Sequence, residues 1–228
     1  MNELCGFYNE DCMAGMSRFP DKFFDLAIVD PPYGIGENGS RNHTRSKLAA
    51  AKKYKAFSGA DREPPPPEYF KELFRVSKNQ VIFGANHFIS RMPIDSPCWI
   101  IWDKDNGETD FADCELAWTS FPSAVRKFRY RWHGMLQENM KNKEIRIHPT
   151  QKPVALYTWI LSKYTMPGDI ILDTHVGSAS SLIACHNMGL QYVGFELDAD
   201  YYKAAKERLE AVKAQMTVFD YLQMEVDR

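Results

Sequence analysis

Four things are scarce in this chain, and each scarcity narrows what the protein can be. Net positive charge is absent: 28 Lys and Arg against 30 Asp and Glu give a formal charge of −2 and a pI near 6.3. Any nucleic-acid surface must therefore come from local clustering of cations. Cysteine is sparse, odd in number and scattered, at Cys5, Cys12, Cys98, Cys114 and Cys185, with no Cys-x-x-Cys. That spacing argues against a disulfide framework or a zinc site and fits a reducing compartment. No apolar run approaches the roughly 20 residues a membrane-spanning helix needs, and no basic opening leads into an apolar stretch. The expectation is a cytoplasmic protein with no membrane partner. Internal repeats are missing as well.

What is present is enough apolar material for one core. The 228 residues are 44% hydrophobic and 13% aromatic, which suits one sizeable core and hardly two. A single domain over 1–228 is expected. Short β-rich runs alternate with helical periodicity, the signature of an α/β fold with a mainly parallel sheet and helices on both faces. Strands are predicted at Asp25–Val29, Gln80–Phe83, Cys98–Trp102, Ile170–Leu172 and Tyr192–Phe195. Helical spacing joins Phe70, Leu73 and Phe74 after the Pro64–Pro67 run, which suits a helix start. It also joins Leu156, Ile160 and Tyr164, and again Tyr202, Ala205, Leu209 and Val212. These stripes read as core contacts.

In such a sheet, ligands sit outside the carboxyl ends of the strands, and three segments fall where that rule wants them. The first is Asp30-Pro31-Pro32-Tyr33. An exocyclic amine on adenine or cytosine is a poor nucleophile because its lone pair is delocalised. The Asp30 carboxylate and the Pro31 carbonyl form an acceptor pair that draws the nitrogen toward a more reactive geometry. Pro31 and Pro32 lock the backbone and remove competing N–H donors. Tyr33 offers an aromatic face on which an extruded base can stack. The competing reading is a Pro-Pro turn that caps a strand with a core tyrosine.

The second segment runs from Asp173 to Ser181, a strand-to-helix turn whose small residues let backbone amides approach a ligand. An ordinary turn has the same look. About twenty residues on, Glu196 and Asp198 end the next strand, where an acidic side chain can accept both ribose hydroxyls of a nucleoside. NAD fits that spacing too, so the cofactor assignment depends on Asp30 to Tyr33. The third segment is His148-Pro149-Thr150-Gln151-Lys152-Pro153.

Taken together, the chain resembles the amino-group DNA methyltransferases that use S-adenosylmethionine, in the permuted form where the catalytic motif precedes the cofactor loop. The resemblance spans nearly the whole length and implies a Rossmann-like methyltransferase fold. It assigns catalysis to Asp30, Pro31, Pro32 and Tyr33, the Asp form being more typical of adenine enzymes than of N4-cytosine enzymes. It assigns cofactor contacts to Asp173, His175, Gly177 and Ser178 in the methionine-binding loop and to Glu196 at the ribose. Thr150 and Lys152 would hold the methionine carboxylate, Asp11 and Cys12 would border the cofactor adenine, and Asp30 adjoins the same site. Thr174-His175 replace the family's usual Pro-Phe, and Ala179 stands where its last glycine would be, a place where a methyl group could crowd the ligand. No metal is implied.

Two basic stretches supply the surface that net charge does not. Gly34 to Arg62 carries seven cations, including Arg41, Arg45, Lys47, Lys52 and Lys53, against two acids. It reads as a mobile loop able to close over an extruded base, at about 34–62. In the second stretch Arg126, Lys127, Arg129 and Arg131 interleave with Tyr130 and Trp132. That interleaving suits phosphate contact plus stacking more than a buried strand, within a small target-recognition region at about 104–147. A solvated face is the plain alternative for both. His87 is a candidate to line the base pocket, although an ordinary core or surface histidine is the favoured reading.

The expected activity is direct transfer of methyl to adenine N6 in DNA, with no covalent intermediate. N4-cytosine, RNA adenine, protein glutamine amide, or a non-catalytic DNA-binding relative are the alternatives. Beyond DNA, a second copy of the chain and a restriction endonuclease are the partners this reading allows.

Overall fold

The protein was analysed as a computed structural model that describes residues 5–36, 63–92, 95–107, 112–133 and 136–215. Its centre is an eight-stranded sheet of β1 (Gly6–Tyr8), β2 (Phe24–Val29), β3 (Ser77–Phe83), β4 (Trp99–Asp103), β5 (Cys114–Thr119), β6 (Arg126–Arg129), β9 (Ile170–Asp173) and β10 (Gln191–Phe195). The order is β1-β10-β9-β2-β3-β5-β4-β6. A separate hairpin pairs β7 (Trp132–His133) with β8 (Leu136–Gln137). All neighbours from β1 to β3 are parallel, β5 runs antiparallel to both β3 and β4, and β4 pairs β6 in parallel. One strand, β5, is thus reversed within the sheet.

The central strands are continuous apolar runs because both faces are covered. From β2, Ala27 and Val29 face a cluster that holds Met16 of α1 (Cys12–Met16) and Tyr69, Phe70, Leu73 and Val76 of α2 (Pro67–Val76). Leu26 and Ile28 face the opposite cluster, with Leu156, Ile160 and Leu161 of α3 (Val154–Tyr164) and Ala184 and Cys185 of α4 (Ser180–Asn187). Ala205 and Leu209 of α5 (Ala199–Lys213) join Leu182 and Ile183 of α4 in a third cluster. Helices therefore lie on both faces, as the alternating pattern predicts. Leu73 is fully buried, and trimming it to Ala would cost about 2–5 kcal/mol.

Helix starts follow local chemistry. Pro67 opens α2 after Pro66, where a missing N–H costs nothing and φ is already helical. Asp11 caps α1 by accepting from the Met13 and Ala14 amides at 2.9 and 3.1 Å. Ala179 precedes α4 with φ +61° and ψ +19°, a left-handed conformation that costs an L-residue roughly 1–2 kcal/mol. Its side chain is fully buried in the cluster with Val176, Leu182 and Ile183. The demand for glycine here is therefore conformational, and the methyl group belongs to the core instead of crowding a ligand.

Five strands and three helices lie where the sequence places them. Three more sheet strands do not show in it. β1 is only three residues long, β5 carries Glu115 inside an otherwise apolar run, and β6 looks like a solvated basic stretch. The segment 126–129 is a strand of the main sheet, and its aromatics point inward. Phe128 stacks on Tyr130 with centroids 5.6 Å apart and packs on Trp159 at 5.2 Å, while Trp132 is buried. The expectation that these aromatics stack on bases is corrected: Phe128 and Tyr130 pack against the core cluster that holds Trp132, while Arg126, Lys127, Arg129 and Arg131 stay exposed. Among the described residues no helix is long and apolar enough to cross a membrane.

Candidate active site

The carboxyl ends of β2, β9 and β10 are adjacent in the sheet and bring Asp30, Asp173 and Glu196 to one edge. Asp30 follows β2 directly, and both of its oxygens are engaged. Tyr33 Oη donates to Oδ1 at 2.7 Å, and Lys152 Nζ donates to Oδ2 at 2.5 Å. The Lys152 ammonium also lies 3.3 Å from Tyr33 Oη and 3.2 Å from Glu115 Oε2. Lys104 Nζ holds the other Glu115 oxygen at 2.5 Å. The result is a chain of alternating charge, Lys104, Glu115, Lys152 and Asp30, that ends on the tyrosine.

Electrostatics keep that chain ionised. Burial alone would push the Lys152 pKa down, but the Asp30 and Glu115 carboxylates outweigh it and raise it above the ordinary lysine value. Burial likewise opposes the charged form of Glu115, yet Lys152 and Lys104 bring its pKa down to about 2. Burial, then the nearby Asp30 charge, hold Tyr33 well above its usual value, so it remains a phenol that donates. Lys152 is 4% exposed. Its role toward a methionine carboxylate rests on the resemblance alone, for in this structure its ammonium is committed to Asp30 and Glu115.

Tyr33 is held from two sides. Gly84 has φ +68°, and a Cβ there would lie 2.1 Å from the Tyr33 ring, so only glycine lets backbone come this close. His87 is exposed and stacks on Tyr33 with centroids 5.2 Å apart and planes at 15°. The histidine taken as an ordinary one therefore sits at the mouth of the site. The letters Gly-x-Gly-x-x-Gly do occur at Gly34, Gly36 and Gly39. Asp30 to Tyr33 intervene between β2 and the first glycine, so the tight strand-to-helix turn of a dinucleotide motif is not formed at the strand end.

The loop after β9 is small and tightly bonded. Asp173 is 2% exposed, accepts from the His175 amide at 3.0 Å and from the Ser181 hydroxyl, and is pushed by burial up to about 7. Thr174 Oγ1 lies 2.6 Å from Tyr69 Oη and 2.9 Å from His175 Nδ1. Burial lowers both His148 and His175 to about 4, so both are neutral at pH 7. His148 packs edge-on to Tyr201 at 4.4 Å, and Thr150 Oγ1 lies 3.0 Å from its Nδ1. Glu196 receives the Gly177 amide at 2.8 Å and the Asp198 amide at 2.9 Å. One bond per carboxylate oxygen leaves a lone pair on each, which suits a vicinal diol. Burial raises the Glu196 pKa and takes Cys12 to about 12, which leaves Cys12 an unreactive thiol.

Arg208 of α5 ties this loop down. It donates to the Ser178 carbonyl at 2.6 Å, to Ser180 Oγ at 2.9 Å and to Glu144 Oε2 at 2.6 Å, while Glu144 Oε1 receives the first amide of α3 at 3.0 Å. Sequence reading gave no sign of Arg208, Glu115, Lys104 or Gly84, because each acts through a partner far away in the chain. A cavity of about 330 Å³, lined by Tyr8, Asn9, Glu10, Arg18 and Phe19, opens at the end of β1. Asn9 Nδ2 donates to the Glu196 carbonyl at 2.8 Å, which places this cavity beside the Glu196 turn. Among the described residues no group of three or more His, Cys, Asp or Glu could hold a metal.

The basic residues divide. Arg126, Lys127, Arg129 and Arg131 are exposed along the β6 edge, with Lys127 paired to Asp103 at 3.3 Å and both Arg129 and Arg131 to Asp105 at 2.5 Å. Arg41, Arg45, Lys47, Lys52 and Lys53 lie outside the described residues.

Similarity to known proteins agrees with this geometry. The N6/N4 methyltransferase family profile, described as DNA methylase, matches residues 101–207. The putative methylase YubD of Escherichia coli K12 is 25% identical over 225 residues, covering 92% of each chain. The type II methyltransferase M.HpaI of Haemophilus parainfluenzae is 25% identical over 239 residues, covering 88% of this chain and 73% of the relative. The solved M1.HpyAVI–SAM complex has the same fold, with a TM-score of 0.54 and 24% identity over 89% of this chain and 98% of that one. With Asp30, Asp173 and Glu196 on one sheet edge, the chain resembles the N6/N4 amino-methyltransferase family of DNA methylases over residues 101–207 and shares the fold of a solved DNA methyltransferase.

Proposed function

We propose that the protein transfers a methyl group from S-adenosylmethionine to the N6 amine of adenine in DNA. The observation that carries this reading is the Asp30 carboxylate, fixed at the end of β2 by Tyr33 and Lys152 and set on the same sheet edge as Asp173 and Glu196. Residues of the chain fit the cofactor: Glu196 keeps a lone pair on each oxygen for a ribose diol, and the small Asp173–Ser181 turn lets backbone approach it closely. Asp11 and Cys12 would border its base, and the His148 ring lies beside Gly177. The cofactor, when bound, supplies an electrophilic methyl group on a sulfonium.

The rest is the work of the protein. Asp30 and the Pro31 carbonyl accept the two N–H groups of the amine and raise its nucleophilicity. Positive charge then grows on that nitrogen, and the Asp30 carboxylate stabilises it where it develops. Tyr33 offers its ring to the extruded base, offsetting part of the unstacking cost. The exposed β6 cations contact phosphates, and 104–147 reads the target. A second copy of the chain and a restriction endonuclease are the candidate protein partners.

The test incubates purified protein with methyl-labelled S-adenosylmethionine and unmethylated genomic DNA, then identifies the labelled nucleoside. N6-methyladenine is expected. N4-methylcytosine would keep the mechanism and overturn the base, and no label would overturn the reading. Asp30→Ala should lower turnover by about 10²-fold or more, the scale of losing one preorganised electrostatic group, with cofactor affinity nearly unchanged.

A further inference from the structure

The chemistry proposed above asks nothing of Glu115, yet Glu115 touches Lys152, the cation that among the described residues pairs with Asp30. An amine that is to be polarised by Asp30 must share its carboxylate with donors already present, because Oδ1 receives Tyr33 and Oδ2 receives the Lys152 ammonium. Lys152 Nζ is a charged N–H donor at 2.5 Å from the carboxylate that an exocyclic amine would need. Its side chain is 3% exposed, so it cannot retreat into water. The other carboxylate within its reach is Glu115, whose Oε2 stands 3.2 Å away.

We infer that Glu115 is a positioning residue for methyl transfer, drawing the Lys152 ammonium off Asp30 when the target amine binds. An ammonium left on Asp30 would neutralise the charge that must stabilise the reacting nitrogen, and would repel that nitrogen as it becomes positive. With Lys152 on Glu115, the two opposite charges pair with each other and Asp30 is free to act. Lys104, at 2.5 Å from Oε1, keeps Glu115 ionised and fixes its orientation. Phe83 of β3 lies under the ammonium at 4.8 Å, and the Tyr33 ring is 5.6 Å away.

This inference rests on the methyltransferase reading, and its test separates the two. Wild type, Glu115→Gln and Glu115→Asp are compared for kcat, for KM of S-adenosylmethionine and DNA, and for thermal midpoint. Glu115→Gln should lower kcat by about tenfold or more, equivalent to about 1.4 kcal/mol in the barrier. KM for S-adenosylmethionine should stay within about twofold, marking an interaction used only in the transition state. Glu115→Asp should recover most of the lost rate. An unchanged kcat in Glu115→Gln, a fall in kcat that merely tracks lost cofactor affinity and stability, or an Asp variant as slow as the Gln variant would each overturn the role of Glu115 and leave the enzyme reading standing. A wild type that methylates no nucleic acid would overturn both.

Discussion

Replacing Gly84 with Ala tests how Tyr33 is held. Gly84 lies at φ +68°, and a built Cβ would sit 2.1, 2.4 and 2.4 Å from three atoms of the Tyr33 ring. Two costs add. A left-handed alanine costs roughly 1–2 kcal/mol, and overpacking against the Tyr33 ring adds about 1–3 kcal/mol. The expected loss is about 2–5 kcal/mol, a fall in melting midpoint of about 4–20 °C for a chain of this size. Guanidinium unfolding followed by circular dichroism measures it, in wild type and in a Tyr33→Ala background. There the ring is gone, so only the conformational part, about 1–2 kcal/mol, should remain. Because the clash pushes Tyr33 from the site, turnover should fall by about 10²-fold, the penalty for displacing an oriented group by an ångström. A Gly84→Ala protein within about 0.5 kcal/mol of wild type, or one equally destabilised in both backgrounds, would refute this account of the ring.

Stability should also depend on pH through opposed groups. Burial lowers His148 and His175 to about 4, so their contribution is present above pH 6.5 and lost as pH falls toward 4; Asp173, raised to about 7, contributes below its unfolded pKa and loses that contribution as pH climbs to 7. Thermal midpoints should rise between about pH 4 and 6.5, and rise more steeply in Asp173→Asn; an unaltered profile in that variant would contradict the burial argument. Arg208→Ala should cost about 3 kcal/mol by leaving Glu144 unpaired and raise KM for S-adenosylmethionine as the Ser178 carbonyl loses its anchor, whereas an unmoved KM would detach Arg208 from the cofactor loop. Changing Arg126, Lys127, Arg129 and Arg131 together to Ala should weaken DNA binding and flatten its salt dependence by about 0.9 for each phosphate no longer neutralised. An unchanged slope would remove β6 from the DNA surface.

Much of the fold was legible because central parallel strands announce themselves as apolar runs, and β2, β3, β4, β9 and β10 all do so. The residues at their ends were legible too, since Asp30 to Tyr33, Asp173 and Glu196 carry chemistry in a short, ordered spelling. What stayed hidden is relational. Nothing in the letters around Lys152 says that its ammonium ends on Asp30, nor that Glu115, half-buried in a largely apolar strand, is its second partner. Gly84 looks like a turn glycine until the Tyr33 ring is seen above it. The basic stretch at 126–132 misled because its aromatics pack against the core while its cations stay in solvent, a separation that composition averages away.

The reversed direction of β5 has one more consequence. A parallel strand can offer the crevice only its last residue and the loop that follows, so Asp30 and Asp173 both sit where regular backbone ends. An antiparallel strand arrives from the other side and offers its opening residues, with the ladder already formed: Glu115 is paired in register with Trp102 of β4. Of the three polar side chains that meet at the ammonium among the described residues, Asp30 and Tyr33 ride on a connection and Glu115 is set in the sheet. When ligands enter and that connection adjusts, the glutamate is the fixed point from which its displacement is measured.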